Sequence, residues 1–419
     1  MYKQELKVES KTENMLKLTF SDVITVCLLL YIYVLGGALQ FFVNLSFTVS
    51  TALTIVLVLG LYFAHAIINK RLLYNKFIGF GLLLASIIIL SSLLNHTFFV
   101  KTALYLSFVI FPIGAYIATR YFVRTKILHI LFNKFFILLG LLQLPVLLIQ
   151  EFGYDLLIKF KRTSQQVAPI DFNFGTFFLK NDHGLAFFLI CLLLYLWLDP
   201  KAEHIKYKKI YSLVYVLSIL LTNSTISHLL LAVTLLYLAY NKVKPRELLV
   251  YLSLALGLIS VVAGLVLFMN SNKLQASLTT FINNAHYDRA LKMYEAGVAT
   301  RIQTLVVFIN NKVEWLGHGP YSYFDILSGI FYQNPNFSQW IWFYFDLGIV
   351  GVVAFILFLL NFDVRGNLNK KRYGSIILGM LFIYAIFSTV TVDLTFTFTF
   401  FLFCRREQQP YEYNNTSIS

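Results

Sequence analysis

Residues 208–242 read KKIYSLVYVLSILLTNSTISHLLLAVTLLYLAYNK, and they predict how the chain crosses the membrane. Two apolar runs flank a polar tip, Thr222-Asn-Ser-Thr225, and basic residues stand at both ends. Because basic residues stay on the cytoplasmic side, the chain must enter the membrane and return within this stretch. Each arm is shorter than the ~20 residues that a helix needs to cross a bilayer core. We therefore expect a helical hairpin whose polar tip lies in a wet depression on the outer side.

A second short-armed stretch runs from Ser375 to Cys404, with Arg372 before it and Arg405 after it. Its tip, residues 389–393, reads TVTVD, and the basic flanks again require the chain to enter and return. In both stretches the alternative is a single long span that breaks the charge rule at one end.

The composition is that of a membrane protein. Of the 419 residues 58% are hydrophobic and 13% charged, and a soluble domain of this length has no interior that could bury so much apolar surface. The apolar runs, such as Val250–Phe268 and Gly348–Leu360, are continuous and do not alternate with period two, which favours helices over a β-barrel. We therefore expect an all-α polytopic membrane protein, with residues 1–419 forming a single integral membrane domain.

Positive charge predicts the topology. The 34 basic residues concentrate in every second gap between apolar runs, as with Lys70, Arg71 and Lys76. On the positive-inside rule these gaps and both termini face the cytoplasm, and about 12 transmembrane helices result. A basic belt against anionic lipid explains the net charge of +14, so we expect membrane lipid and no nucleic acid as a partner.

The cysteines predict no special chemistry. Cys27, Cys191 and Cys404 all fall in apolar runs, which supports neither a disulfide framework nor a thiolate metal site. We expect no metal and no cofactor.

Two longer segments, residues 151–182 and residues 270–337, lie on the outer side in this topology. The second carries apolar residues at helical spacing, as in Ile302, Leu305 and Ile309, which predicts interfacial helices lying on the bundle. We interpret neither segment as a separate domain, and we expect the chemistry to lie in these two segments.

The first outer segment holds a candidate anion site. Phe177 and Phe178 suggest re-entry into the membrane interface, and Asn181 or Asp182 is suited to cap the following helix. A helix N-terminus beside Lys180 could bind an anion through its free amides and its dipole. The alternative for Asn181 and Asp182 is capping alone.

The second outer segment holds two arginines and a histidine of interest. Arg289 and Arg301 lie on a predicted helical stretch, and Arg301 falls at the membrane edge because an apolar run follows it. The alternative is an interfacial arginine whose stem lies along apolar surface. Gly317-His-Gly-Pro320 is typical of a flexible turn, whose His318 is either a functional group or merely exposed to solvent.

Four elements resemble, in the same order, those of the bacterial O-antigen and exopolysaccharide polymerase and O-antigen ligase family. They are Gly175-Thr-Phe-Phe…Asn181, then Leu221-Thr-Asn-Ser-Thr-Ile-Ser227, then Thr300-Arg301 with Gly317-His-Gly319, and finally Asn336 with Asp346-Leu-Gly348-Ile-Val-Gly351. The resemblance covers roughly residues 150–360, and the chain before them matches only as generic membrane helices.

The resemblance implies an inverting, metal-independent glycosyltransferase of the multi-helix glycosyltransferase-C type. Such an enzyme works at the outer face of the bacterial plasma membrane on oligosaccharides linked to undecaprenyl diphosphate. Further partners could include a flippase and a chain-length regulator.

Arg162 and Arg301 are then the candidates to hold the diphosphate, because a guanidinium donates to two oxygens at once. The positive charge of arginine would stabilise the departing diphosphate, which is the role that a metal ion has in other enzymes. The further substrate-binding candidates are Lys180, Asn181, Arg289 and Asn336.

The candidate general base is less clearly indicated. The ligase branch has a histidine before the closing element, where this chain reads Asn334-Pro-Asn-Phe-Ser338, and this difference favours a polymerase over a ligase. The candidates for a base are His318, which we place first, His183 and Asp325. Attack by a sugar hydroxyl on a carbon that bears a diphosphate leaving group could also depend on orientation alone.

A transporter or flippase is the alternative from another class. Such proteins carry charged or Gly/Pro-broken spans near the middle of the membrane and repeat-related halves. Here the polar residues concentrate in the outer segments, which favours the polymerase.

Overall fold

The computed structural model describes residues 20–45, 76–119, 131–163, 172–240, 314–324, 338–362 and 373–404, with a few single residues between them. Within this part of the chain the secondary structure is helical, without any strand, so the expected all-α class is confirmed. The apolar run Val250–Phe268 and the interfacial helices expected between residues 270 and 313 lie outside the described residues.

The helices are numbered in chain order. Their bounds are α1 Phe20–Leu30, α2 Gly36–Val43, α3 Lys76–Leu94, α4 Phe99–Tyr105, α5 Ser107–Ile117, α6 Ile137–Phe152, α7 Tyr154–Leu157, α8 Asp182–Leu198, α9 Lys208–Leu221, α10 Thr225–Tyr240, α11 Gln339–Leu360, α12 Gly374–Phe387 and α13 Leu394–Phe403. Two π-helical stretches, Tyr31–Leu35 and Leu131–Phe136, join α1 to α2 and lead into α6.

Five helical stretches are long and apolar enough to cross a membrane. They are Val26–Val43, Lys76–Leu94, Phe99–Ile117, Lys134–Phe152 and Gln339–Leu360, with mean hydropathies from 1.6 to 2.5. Shorter apolar helices, among them α8, α10, α12 and α13, accompany them. These helices are compatible with a polytopic membrane protein. The total of about 12 spans and the direction of the termini stay predictions.

Helices α8 and α13 form the centre of the bundle. Every residue from Gly184 to Leu196 of α8 is buried, and so is every residue of α13. The peripheral helix α3, by contrast, exposes large apolar side chains such as Leu82, Leu83 and Ile89. Apolar surface is therefore turned outward at the periphery, where lipid would be the solvent, while two short helices are enclosed by the others.

The two short-armed stretches are helical hairpins, as the charge pattern predicts. Helix α9 ends before Thr222, α12 ends before Ser388, and both of these residues are extended. The four arms have 14, 16, 14 and 10 residues. At 1.5 Å per residue they are about 15–24 Å long, against about 30 Å for a bilayer core. The alternative of one long span through either tip is wrong.

The starts of α8, α10, α11 and α13 meet at one end of the bundle, which we call the polar end. Gln339 at the start of α11, for example, accepts a hydrogen bond at 2.8 Å from the amide of Val390 in the second hairpin tip. At the opposite end, the Tyr373 hydroxyl donates to Asp199 Oδ2 at 2.6 Å. The two ends of the bundle are thus closed by different polar contacts, and the candidate site residues lie at the polar end.

Candidate functional site at the polar end

Asn181 joins the beginnings of the two central helices. It caps α8, since its Oδ1 accepts from the Gly184 amide at 2.9 Å. Its Nδ2 donates to Asp393 Oδ1 at 3.2 Å and to Thr395 Oγ1 at 2.9 Å. Asp393 in turn caps α13 by accepting from the Thr395 amide at 2.7 Å. The predicted capping role of Asn181 is confirmed, and its contact with a substrate stays a prediction.

His183 begins a row of hydrogen-bonded side chains that connects three helices. Its Nδ1 lies 2.6 Å from Ser224 Oγ, in the first hairpin tip. Ser227 Oγ donates to Ser224 Oγ at 2.6 Å and lies 2.9 Å from the hydroxyl of Tyr384 on α12. The carboxylate of Asp182 approaches the same nitrogen, with Oδ2 3.4 Å from Nδ1. The imidazole is therefore held between α8 and the two hairpins.

This row of side chains leads from the surface into the core. The side chain of His183 is 19% exposed, whereas Ser224 is 2% exposed and Ser227 and Tyr384 are fully buried. Buried hydroxyls are costly unless they are hydrogen-bonded, and here each has a partner. The network is thus ordered, and it fixes the orientation of the imidazole.

Two glutamines of α6 hold the turn that precedes α8. Gln150 forms a reciprocal pair with Gly175, donating to its carbonyl at 2.9 Å and accepting from its amide at 2.8 Å. Gln143 forms a similar pair with the Thr176 hydroxyl and amide, at 2.9 and 3.0 Å. Gly175 has φ +61°, and a Cβ at this position would collide with Gln143 Oε1. The first resembling element is therefore a tight turn whose backbone conformation and close contact with Gln143 favour glycine.

The segment after this turn re-enters the helix bundle itself. Phe177 is fully buried, and its ring centroid lies 5.5 Å from those of Tyr33 and Phe188. Its carbonyl lies against Gly37 of α2, where a Cβ would collide with it. The segment thus packs into the protein core, and its position relative to the membrane interface stays a prediction.

The last turn of α2 anchors the backbone beside two of the exposed cations of the first segment, Arg162 and Lys180. The Arg162 amide donates to Phe41 O at 2.9 Å, and the Leu179 amide, next to Lys180, donates to Gln40 Oε1 at 2.8 Å. The side chains of Arg162 and Lys180 are exposed. Two cations that are separate in the sequence thus lie by the same helix end, next to the Asn181 cap.

The Gly-His-Gly turn packs into a break in α11. Gly348 has φ 66° and ψ −166° inside this helix, which interrupts its hydrogen-bond ladder. On one side of the break the His318 amide donates to Phe345 O at 2.9 Å. On the other side the Ile349 amide donates to Glu314 O, also at 2.9 Å. Residues 314–319 therefore complete the backbone hydrogen bonds that the break leaves open.

Glycine is required on both sides of this contact. A Cβ on Gly317, whose φ is +64°, would lie 2.5 Å from the carbonyl carbon of Asp346. A Cβ on Gly348 would collide with the Trp315 carbonyl. The Gly-x-Gly part of the third resembling element and the closing glycine motif thus pack directly against each other.

Asp346 ties the same assembly together through its carboxylate. It is fully buried and accepts from the amides of Tyr321 and Tyr323 at 2.8 and 2.7 Å. It also accepts from the Ser322 hydroxyl at 2.8 Å. A buried carboxylate with three donors is stable only as part of this turn, which indicates a structural role for Asp346.

His318 belongs to this second assembly, whereas His183 belongs to the first. The Nε2 of His318 lies 3.2 Å from Glu314 Oε1, and the two side chains are 41% and 34% exposed. The pair has the arrangement of a base and an orienting carboxylate. Glu314 was not among the residues that the sequence singled out.

Several predicted site residues cannot be placed. Arg289, Arg301, Asp325 and Asn336 lie outside the described residues. Within the described part, no three His, Cys, Asp or Glu residues are grouped so that they could hold a metal ion. The three cysteines are free thiols.

Sequence reasoning missed the residues that act as partners. Tyr384 and Gln143 stand among apolar neighbours, and such an isolated polar residue is a signal of buried hydrogen bonding, whereas Gln150 stands next to Glu151 and carries no such signal. The signal does not say which partner each residue meets, because the partners come from distant parts of the chain.

Comparison with protein-family models, with curated proteins and with solved structures found no match to this chain. The class of the protein is therefore defined by its own helices: an all-helical chain with apolar helices long enough to span a membrane and a polar assembly at one end.

Proposed function

We propose that the chain is a polysaccharide polymerase, which transfers a glycan from undecaprenyl diphosphate to the next lipid-linked repeat unit. In this proposal the polar end is the outer face of a glycosyltransferase-C-like bundle of about 12 spans in the bacterial plasma membrane. The observation that carries it is the contact of His183, just after the first resembling element, with Ser224 in the second. The exposed cations Arg162 and Lys180 lie on backbone that α2 anchors near this contact.

The chemistry of the polar end suits a lipid-linked sugar. Carboxylate, amide, imidazole and hydroxyl groups gather around Asn181, His183 and Asp393, and these groups bind sugar hydroxyls well. Exposed Arg162 and Lys180 would face the diphosphate, which must stay at the membrane surface because its lipid tail stays in the bilayer. The short hairpin arms support a wet depression that lets both parts of the donor reach the site.

The reaction that we propose is a single displacement. A hydroxyl oxygen of the acceptor repeat attacks the anomeric carbon of the donor glycan, and the bond from that carbon to the phosphate oxygen breaks with inversion. The electron pair leaves with undecaprenyl diphosphate, whose charge Arg162 and Arg301 would offset. The proton of the acceptor hydroxyl goes to a base, for which His318, paired with Glu314 at 3.2 Å, is the first candidate.

The experiment that tests this function deletes the gene and analyses lipid-linked glycans. Accumulation of single repeat units at the outer face supports the polymerase. Accumulation of full-length lipid-linked polymer would instead identify a ligase, and repeat units trapped on the inner face would identify a flippase. Rescue by the wild-type gene is the control, and unchanged glycans in the deletion strain would refute all three functions.

A further inference from the structure

The hydrogen bonds around Ser224 determine where its proton points. A hydroxyl has one proton to donate and two lone pairs that accept. Ser224 Oγ accepts from the Ser227 hydroxyl at 2.6 Å and from the Ser227 amide at 3.3 Å. With both lone pairs engaged, the Ser224 proton is directed at its remaining partner, His183 Nδ1, at 2.6 Å.

The same count of donated protons and lone pairs applies to the two buried hydroxyls, those of Ser227 and Tyr384. The proton of Ser227 is donated to Ser224, so the Tyr384 hydroxyl, 2.9 Å from Ser227 Oγ, must be the donor in that contact. All three hydroxyls therefore point toward the imidazole, and hydrogen bonds aligned in one direction strengthen one another. Tyr384 is fully buried, which makes it a fixed starting point for the row.

Asp182 is the competing partner for Nδ1. Its Oδ2 lies 3.4 Å from that nitrogen, beyond the usual length of a good hydrogen bond, whereas Ser224 Oγ lies at 2.6 Å. A proton on Nδ1 would face the proton of Ser224, and the Asp182 carboxylate is too distant to compensate with a good hydrogen bond. The geometry therefore favours Nδ1 as an acceptor.

We propose that Tyr384, Ser227 and Ser224 fix the neutral tautomer of His183 with its proton on Nε2. His183 then acts as a hydrogen-bond donor to an acceptor oxygen of the lipid-linked glycan, and not as the base. Tyr384 is a positioning residue, because it acts only through the two serines. The identity of the ligand rests on the proposed function, whereas the tautomer does not.

The tautomer is tested without any activity measurement. The full chain, labelled with ¹⁵N-histidine and reconstituted in lipid nanodiscs, is examined by NMR, and His183→Gln identifies the His183 signals. We expect an unprotonated Nδ1 and a protonated Nε2 in the wild type, and a substantial Nδ1-protonated fraction in Ser224→Ala. Protonation of Nδ1 in the wild type, alone or in the imidazolium form, overturns the proposal.

A matched control separates this effect from loss of any buried hydroxyl. Ser218 lies on the preceding arm of the same hairpin, is fully buried and donates locally to Val214 O at 2.8 Å. Ser218→Ala should therefore leave the His183 signals unchanged. If it changes them as Ser224→Ala does, the tautomer does not depend on this row of hydroxyls and the proposal fails.

The donor role is tested by polymer formation in the deletion strain, at equal protein levels. The amide nitrogen of Gln occupies roughly the place of Nε2, and that of Asn the place of Nδ1. His183→Gln should therefore make up to about tenfold more polymer than His183→Asn, the upper end of the ratio expected for one neutral hydrogen bond. Equal loss in the two variants overturns the donor role.

The positioning role of Tyr384 predicts a smaller effect. Tyr384→Phe should lower polymer formation about three- to tenfold, because one hydrogen bond of the row is lost and the tautomer is held less firmly. Tyr215→Phe is the control, since Tyr215 is equally buried but donates to Ile137 O at 3.1 Å, away from the row. Equal polymer in Tyr384→Phe and wild type overturns the positioning role.

If deletion of the gene leaves polymer unchanged, the proposed function fails, and the NMR result still decides the tautomer.

Discussion

Asn181 shows how the polar end is organised at the scale of single residues. Its carboxamide accepts from the Gly184 amide and donates to Asp393 and Thr395, so its hydrogen bonds connect two helix caps. Groups that are held this way need no rearrangement when a ligand arrives, which is the physical basis of preorganised sites. By the same argument the exposed cations, and not Asn181, are the groups best placed to grip a diphosphate directly.

The arginines provide the first residue-scale prediction. Arg301→Ala and Arg301→Lys should both abolish polymer, because lysine keeps the charge but not the fork of donors that matches two phosphate oxygens. Arg162→Ala should lower polymer at least about tenfold, the loss expected for one charge-assisted hydrogen bond. Polymer is measured in the deletion strain at equal protein level.

Lys159 supplies the control for this prediction. It is exposed and lies three positions before Arg162 in the same segment, so Lys159→Ala removes a nearby positive charge without touching the anchored residue. Wild-type polymer from Arg301→Ala would rule out its role at the diphosphate. Equal losses from Lys159→Ala and Arg162→Ala would indicate general electrostatic attraction and no specific contact.

Asp346 carries a second residue-scale prediction, which concerns stability. In Asp346→Asn the amide group would place a donor against donors from Tyr321, Ser322 and Tyr323. We expect a loss of about 2–3 kcal/mol, the usual cost of disrupting a buried charged hydrogen-bond group. Thermal unfolding of the purified protein in detergent measures this loss of stability.

Asp155→Asn, at an exposed position, is the control and should change stability by less than about 0.5 kcal/mol. Equal effects of the two substitutions would contradict the structural role of Asp346.

The break in α11 is the clearest feature at the scale of elements. The run Gly348–Leu360 is continuous and apolar, so the sequence predicts an unbroken span there, and a single glycine carries no sign of a break. The break becomes stable because the backbone of residues 314–319 supplies the missing hydrogen-bond partners. A partner segment about thirty positions earlier cannot be identified from a local pattern.

Replacement of Gly348 is expected to weaken the broken helix α11. Gly348→Ala should destabilise the protein by more than about 2 kcal/mol. Its φ of 66° and ψ of −166° lie in a region that is essentially confined to glycine and costs roughly 1–3 kcal/mol in an L-residue, and the added Cβ collides with the Trp315 carbonyl. Gly379 on α12 is the matched control, since a Cβ there meets no atom within 4 Å. Gly379→Ala should be neutral or stabilising by up to about 1 kcal/mol. Equal thermal stability of the two variants would show that the break tolerates a side chain.

At the scale of the whole molecule, charge and hydropathy predicted much of the architecture. Both hairpins, with their short arms and polar tips, follow from basic residues at the ends of stretches too short for two full spans. The partners of His183 did not follow, because Ser224 and Tyr384 are brought to it only by tertiary packing. Sequence patterns thus predicted where the two polar hairpin tips lie, but not which polar groups meet there.

The topology itself yields the last prediction. The contact of His183 with Ser224 puts the loop at Lys180 and the hairpin tip at Asn223 at the same end of the bundle, while Glu203 lies in the connection at the opposite end. All three positions are exposed.

In a variant without its natural cysteines, Lys180→Cys and Asn223→Cys should react with a membrane-impermeant thiol reagent in intact cells. Glu203→Cys should react only after permeabilisation, because the lysines around it predict, by the positive-inside rule, that this end faces the cytoplasm. Labelling of residues 180 and 223 from opposite sides would contradict the fold, and labelling of both only after permeabilisation would place the site on the cytoplasmic side and exclude the proposed reaction.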